Sequence, residues 1–217
     1  GSNETNTFPP AQPPETGRAW EIKTGDVQHV YGILGTVGYP VETKQALALD
    51  LLMEIVGSGQ TSRFYENLVL KQQLATSLSG HFWTQRETGP VMVQLQTEPE
   101  QLEDLLDGIA EEVQTLIDGE ISEEEYRRAL TQIKTDFIYS AQTASGQANQ
   151  LGYWDTIDRV EYLEQYVETI ETIEPQTVVE TGRAVFAERN WTGIFLAPES
   201  SGLPDSVDGP LPLVGSP

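Results

Sequence analysis

A chain of 217 residues with 34 Asp and Glu against 12 Lys and Arg carries a formal net charge of −22, which repels phosphate backbones and anionic lipid. Nucleic acid and membranes are therefore not expected as partners; the charge suits solubility, an acidic habitat or attraction for a basic peptide or partner. With 38% hydrophobic residues, 4 Trp and 8 Tyr the chain can bury a core, and with no cysteine it holds no disulfide, thiolate nucleophile or cysteine zinc site.

Residues 3–17, NETNTFPPAQPPETG, are rich in proline and read as an extended linker behind Gly1-Ser2, which has the look of a tag scar. The chain is thus expected to be an excised piece of a soluble, bacterial-type protein, cytoplasmic or periplasmic; no signal peptide is visible, and no apolar run reaches the ~18–20 residues that cross a bilayer.

Trp20–Lys23 and Val27–Ile33 suggest two strands joined by the turn Thr24-Gly25-Asp26. From Thr43 the period becomes helical, with Leu47, Leu51 and Ile55 at i+4, and Gly57 and Gly59 end that helix. A short helix is predicted from about Ser62 to Gln72, then strands at about 76–85 and 90–97 joined through Glu87-Thr88-Gly89. Helix 100–118 aligns Leu102, Leu105, Ile109, Val113 and Leu116 and stops at Gly119. Ile121-Ser122-Glu123-Glu124-Glu125-Tyr126 reads as a capping box with a hydrophobic staple. One long stripe follows, from Tyr126 through Leu130, Ile133, Phe137, Ala141, Ala144 and Ala148 to Leu151, and its alanines suggest a close backbone neighbour. Helices at about 160–171 and 175–188, the second with Pro175 in its first turn, lead to a closing strand at 191–197. The stretch 199–217, rich in Pro and Gly, is expected to be disordered. The order is α+β, with strands from both ends of the chain entering one sheet.

The chain alone offers little chemistry. His29 and His81 fall in predicted strands, and neither has a histidine or carboxylate partner at helical metal-ligand spacing, so HxxEH and its inversion are both missing. Gly57-Ser58-Gly59 follows a helix, where a nucleophilic serine elbow would follow a strand, and phosphate-binding glycine motifs are lacking. Acidic pairs such as Glu111-Glu112 arise from abundance.

Ser58-Gly59-Gln60-Thr61-Ser62-Arg63-Phe64-Tyr65, with Leu68-Val69-Leu70-Lys71-Gln72-Gln73-Leu74-Ala75-Thr76-Ser77 behind it, resembles the second-domain signature of the M16 (pitrilysin, mitochondrial processing peptidase) metallopeptidases. There a small-residue turn and an SRL[FY] helix lead to a run like LREKRGLAYS. The resemblance extends over residues 18–198 as an M16-type C-terminal inactive domain, with 1–17 as tag remnant and hinge. It implies an M16 peptidase-like (LuxS/MPP-like) fold, a mixed or antiparallel sheet covered by helices, and a clam-shell of two such halves. One half carries zinc on an HxxEH helix; the other closes over the peptide and, in active members, supplies an arginine and a tyrosine.

Aligned on Leu68, Lys71, Leu74 and Ala75, those two substrate-facing positions fall on Val69 and Thr76, which lack both groups. Ser62, Arg63, Phe64 and Tyr65 match the structural SRL[FY] part, with Arg63 expected to tie helix to sheet. The resemblance thus implies no catalytic residue, metal ligand or cofactor in this chain. Zinc is expected in a partner half, in the same parent chain or a separate subunit, with peptide as substrate and a dimer as a possible assembly. The alternative is a purely structural subunit with the same fold and no proteolytic role. A generic acidic α+β binding module stands as a third, unrelated reading.

Overall fold

A computed structural model describes residues 19–119, 121–157, 160–186, 191–204 and 206–208. In chain order these form β1 (Ala19–Gly25), β2 (Val30–Val37), α1 (Lys44–Val56), a π-helix (Phe64–Lys71), β3 (Ser77–Phe82) and β4 (Pro90–Thr97). A 3-10 turn (Pro99–Gln101) then leads into α2 (Leu102–Ile117), α3 (Glu123–Ser140), α4 (Ala144–Ile157), α5 (Val160–Ile170) and α6 (Pro175–Phe186). β5 (Thr192–Pro198) and β6 (Ser206–Asp208) close the chain.

The strands make one mixed sheet in the order β3-β4-β2-β5-β1-β6. β1 and β2 are consecutive but not neighbours: β5 lies between them, parallel to β1 and antiparallel to β2. A turn sequence shows where the chain reverses, not what it reverses against. β6 pairs antiparallel with β1, so part of the stretch expected to be disordered is a sheet edge. Residues beyond 208 lie outside the described ones, as does the predicted linker before residue 19.

Strict alternation divides the sheet. Val30, Leu34, Val91, Val93, Leu95 and Phe195 face the core, where they meet the buried faces of α1, α2 and α6. α1 is the central helix. Thr43 caps it by accepting the Ala46 amide at 3.2 Å, and its buried side chains include Leu47, Leu49, Leu51, Leu52 and Ile55, which span most of its circumference. It ends at Gly57 because a Cβ there would lie 2.5 Å from the Gly80 backbone of β3, whose amide donates to the Gly57 carbonyl at 2.9 Å. α3 opens with the predicted capping box: Ser122 accepts the Glu125 amide at 3.2 Å, and the Glu125 carboxylate accepts the Ser122 amide at 2.9 Å. Tyr126 behind it is buried, its hydroxyl bonded to the Ile173 carbonyl.

The long stripe does not run through. α3 stops at Ser140, whose hydroxyl donates back to the Phe137 carbonyl at 2.8 Å, and Thr143 caps a new helix by accepting the Gly146 amide at 3.0 Å. The turn is tight enough that a Cβ on Gly146 would sit 1.8 Å from the Ser140 oxygen. Beyond the break Ala144, Ala148 and Leu151 are exposed, so no neighbouring backbone explains the alanines. Spacing by three and four continues across a break as readily as along a helix. Phe137 is half-buried and stacks on Tyr166 with ring centroids 5.3 Å apart. Phe137→Ala is accordingly expected to cost about 1–2 kcal/mol, below the ~3–5 of a fully enclosed ring. Ala144→Leu should stay within about 0.5 kcal/mol, as exposed changes do. Denaturant melts of both variants check this; a loss above ~2 kcal/mol at Ala144 would mean that the helix is covered.

Candidate functional site

The sequence motif at 58–77 is built around a widened helix. Ser62, fully buried, donates its hydroxyl to the Gly59 carbonyl at 2.9 Å and accepts the Tyr65 amide at 3.4 Å, which starts the turn. The segment was expected to be an ordinary short helix; over Phe64–Lys71 it is a π-helix, with the Gln72 amide reaching back five residues to the Asn67 carbonyl at 2.9 Å. Phe64 and Leu68, one turn apart, both enter the core. Gly108 makes room for Leu68, because a Cβ there would lie 2.7 Å from a Leu68 methyl. The helix then breaks at Gln73, a left-handed residue with φ 55°, and the chain enters β3.

Arg63 grips Glu125 with two bonds, Nε to Oε1 at 2.7 Å and Nη2 to Oε2 at 3.2 Å. It ties the π-helix to the first turn of α3; the partner lies 62 residues away and carries no signal of it in the sequence. The pair is well enclosed, with 10% and 20% of the two side chains exposed. Burial works to raise the Glu125 pKa, yet the Arg63 hydrogen bonds, the Ser122 amide and hydroxyl and the Arg63 charge together hold it down at about 2. Asn67 donates to Glu112 of α2 at 2.7 Å, and burial lifts that carboxyl above its ordinary value despite the bond. Phe64 is wholly enclosed, and Tyr65 half-buried.

The two aligned positions are chemically quiet. Val69 is half-buried and packs on the main core. Thr76 is exposed at the entry to β3, its amide and hydroxyl both donating to the Gln96 carbonyl, at 2.9 and 3.2 Å. Among the described residues no group of three or more His, Asp or Glu is placed to hold a metal ion. His29 sits in the bend before β2, 3.1 Å from a Glu98 oxygen, and not in a strand as predicted, whereas His81 lies in β3. None of the described helices is long and apolar enough to cross a membrane.

The feature that sequence reasoning missed is the outer face of the sheet. At its centre Tyr31 is paired with Leu196 and Ile33 with Ile194 across β2 and β5. These four side chains are 43%, 38%, 49% and 60% exposed. Gln94 and Gln96 of β4 flank the ladder on one side, Glu21 and Lys23 of β1 on the other. The absent side chain of Gly35 helps to hollow this face into an apolar groove of about 530 Å³. The signal lay in the sequence: Tyr31, Ile33, Ile194 and Leu196 make both faces of their strands apolar, the pattern of a sheet covered twice.

Comparison with known proteins agrees with this architecture. Residues 2–133 match the family model described as the peptidase M16 inactive domain. A Rickettsia felis protein described as an uncharacterized zinc protease is 23% identical over 172 residues, covering 78% of this chain and 42% of that protein. The solved structure of a protease from Helicobacter pylori superposes with a TM-score of 0.74 at 20% identity, over 84% of this chain and 44% of its own. A peptidase M16 inactive domain from Pseudomonas fluorescens gives 0.73 at 17% identity, over 85% and 45%. The chain thus spans less than half the length of each of these relatives.

Proposed function

The chain belongs to the peptidase M16 inactive-domain family, and from that premise we propose that it is the non-catalytic half of a zinc-dependent endopeptidase. In this reading it closes a clam-shell chamber over peptide substrates, which are hydrolysed on an HxxEH zinc half carried elsewhere, in the same parent chain or in a separate subunit. The carrying observation is the apolar ladder Tyr31–Leu196 and Ile33–Ile194 on the outer sheet face. A soluble domain has no reason to expose such a strip at the centre of its sheet unless something lies against it. The 58–77 motif takes the part of a scaffold, in which Ser62, Arg63, Phe64 and Tyr65 shape the wall and supply no chemistry. Val69 and Thr76 stand where active relatives place a polarising pair, and zinc belongs to the other half.

This chain alone is expected to cleave no unstructured peptide and to keep no stoichiometric zinc through dialysis. Val69→Arg with Thr76→Tyr should not change that, because polarising groups without a metal have no water to activate. In the assembly with an HxxEH half, Ile33→Lys or Ile194→Lys should lower peptide turnover about tenfold or more, since a charge pressed against an apolar partner costs at least ~1.4 kcal/mol. Chelator-sensitive cleavage by the isolated chain would overturn the assignment. The missing pair at Val69 and Thr76 favours a second reading, a structural subunit without proteolytic role. An assembly that holds together yet contains neither zinc nor peptidase activity would select it.

A further inference from the structure

A second concavity lies away from the motif, where α1, α3, α4 and α5 meet. Its walls are aromatic: Phe137 stacks on Tyr166, Tyr166 leans on Trp154 at 5.7 Å, and Trp154 meets Tyr153 edge-on at 5.7 Å. Tyr153 is anchored by its hydroxyl, which donates to the Thr84 carbonyl at 2.6 Å, so the wall has a fixed position. These rings line an open crevice of about 380 Å³, with Asp50 and Asp136 also in its lining. Asp50 also lines a smaller cavity of about 150 Å³ beside it.

Asp50 accepts one hydrogen bond, from the Tyr166 hydroxyl to Oδ2 at 2.9 Å. Among the described residues no donor reaches its other oxygen, and no lysine or arginine pairs with Asp50, Glu54 or Asp136. A carboxylate set into an apolar site without a counter-ion costs free energy that the fold does not recover internally. Negative ring faces around a carboxylate are the chemistry that holds a weakly hydrated organic cation. We propose that this crevice binds the guanidinium or ammonium end of a flexible chain, the Asp50 carboxylate taking the charge and the rings taking the stem. The inference does not depend on the peptidase reading.

Protonation fits this role. Burial lifts the Asp50 pKa to about 7, the Tyr166 bond opposing it, so near neutrality the carboxyl is a mixture of both forms. The other titratable groups facing the site are Glu54 on α1, Asp136 on α3, Tyr153 on α4, Tyr162 and Tyr166 on α5, and His81 on β3. A cation must bind the ionised form, so affinity should rise with pH through 7 and fall about tenfold per unit below it.

The test follows the indole resonance of Trp154, identified by Trp154→Phe, during titration with capped arginine amide, capped lysine amide and 1,4-diaminobutane. Capped citrulline amide, which keeps the shape of arginine and lacks its charge, is the control. Saturable shifts are expected with the cations, at least about tenfold weaker binding of citrulline, and a similar loss in Asp50→Asn. Stronger binding of the capped amino acids assigns the site to peptide side chains; stronger binding of the diamine assigns it to free amines. If Asp50→Asn fails to fold, the pH profile of the unaltered chain decides. A flat profile, equal binding of citrulline, or no response to any cation would overturn the proposal.

Discussion

Replacing Phe64 with alanine is expected to lower stability by about 3–5 kcal/mol, the cost of emptying a fully enclosed aromatic site. The ring has no exposure at all and belongs to the main core with Leu68, Met53 and Leu78. Its surroundings cannot collapse easily. The ring packs near Gly80, where the β3 backbone is held against Gly57 by the 2.9 Å amide bond, and the π-helix that carries it is fixed at its start by buried Ser62. Loss of Phe64 therefore leaves a cavity between α1, β3 and the π-helix and loosens the π-helical segment. Denaturant melts would read the effect directly. A loss below about 1 kcal/mol would mean that the motif does not organise the core.

Arg63→Ala should cost about 3 kcal/mol, because it strands the Glu125 carboxylate in a site where only a fifth of its side chain meets solvent. The pH dependence identifies the cause. The folded pKa of Glu125, about 2, lies below its ordinary value of 4.5. A depressed carboxyl stabilises the fold above the unfolded value and loses that contribution as pH falls through the folded one. The gap between the parent chain and Arg63→Ala should then be full at neutral pH and narrow steadily from about pH 4.5 toward 2. A gap independent of pH would assign the loss to packing of the arginine stem and not to the ion pair.

Where a device is local, residues announce it. The Ser122–Glu125 box, the Thr43 start of α1 and the alternation along β4 all stand in the structure as the spacing implies. Each depends on neighbours within a few positions, and backbone geometry fixes what those neighbours can reach. The stripe from Tyr126 to Leu151 misled for the complementary reason. Its period runs on past the turn at 141–143 although Ala144, Ala148 and Leu151 are exposed there, and only the Thr143 cap and the missing side chain of Gly146 reveal the break. The π-helix was equally hidden. Its apolar positions, Phe64 and Leu68, are four apart and suit an ordinary helix, and the wider turn is selected by the packing of α2 and β3 around it.

Composition and short-range pattern determined that this acidic, cysteine-free chain folds as an α+β domain, and the 58–77 stretch carried the resemblance to the M16 family that its family match bears out. These properties are written residue by residue and need no partner to be read. Tertiary structure decided the rest: β5 entering between β1 and β2, Arg63 reaching Glu125 across 62 residues, the Tyr31–Leu196 and Ile33–Ile194 ladder, and the Asp50 carboxyl bonded to Tyr166 in a crevice lined by four rings. Each joins segments far apart in the chain. Such pairings are chosen by which whole arrangement buries the most apolar surface with its polar groups satisfied, and no local stretch of sequence carries that comparison.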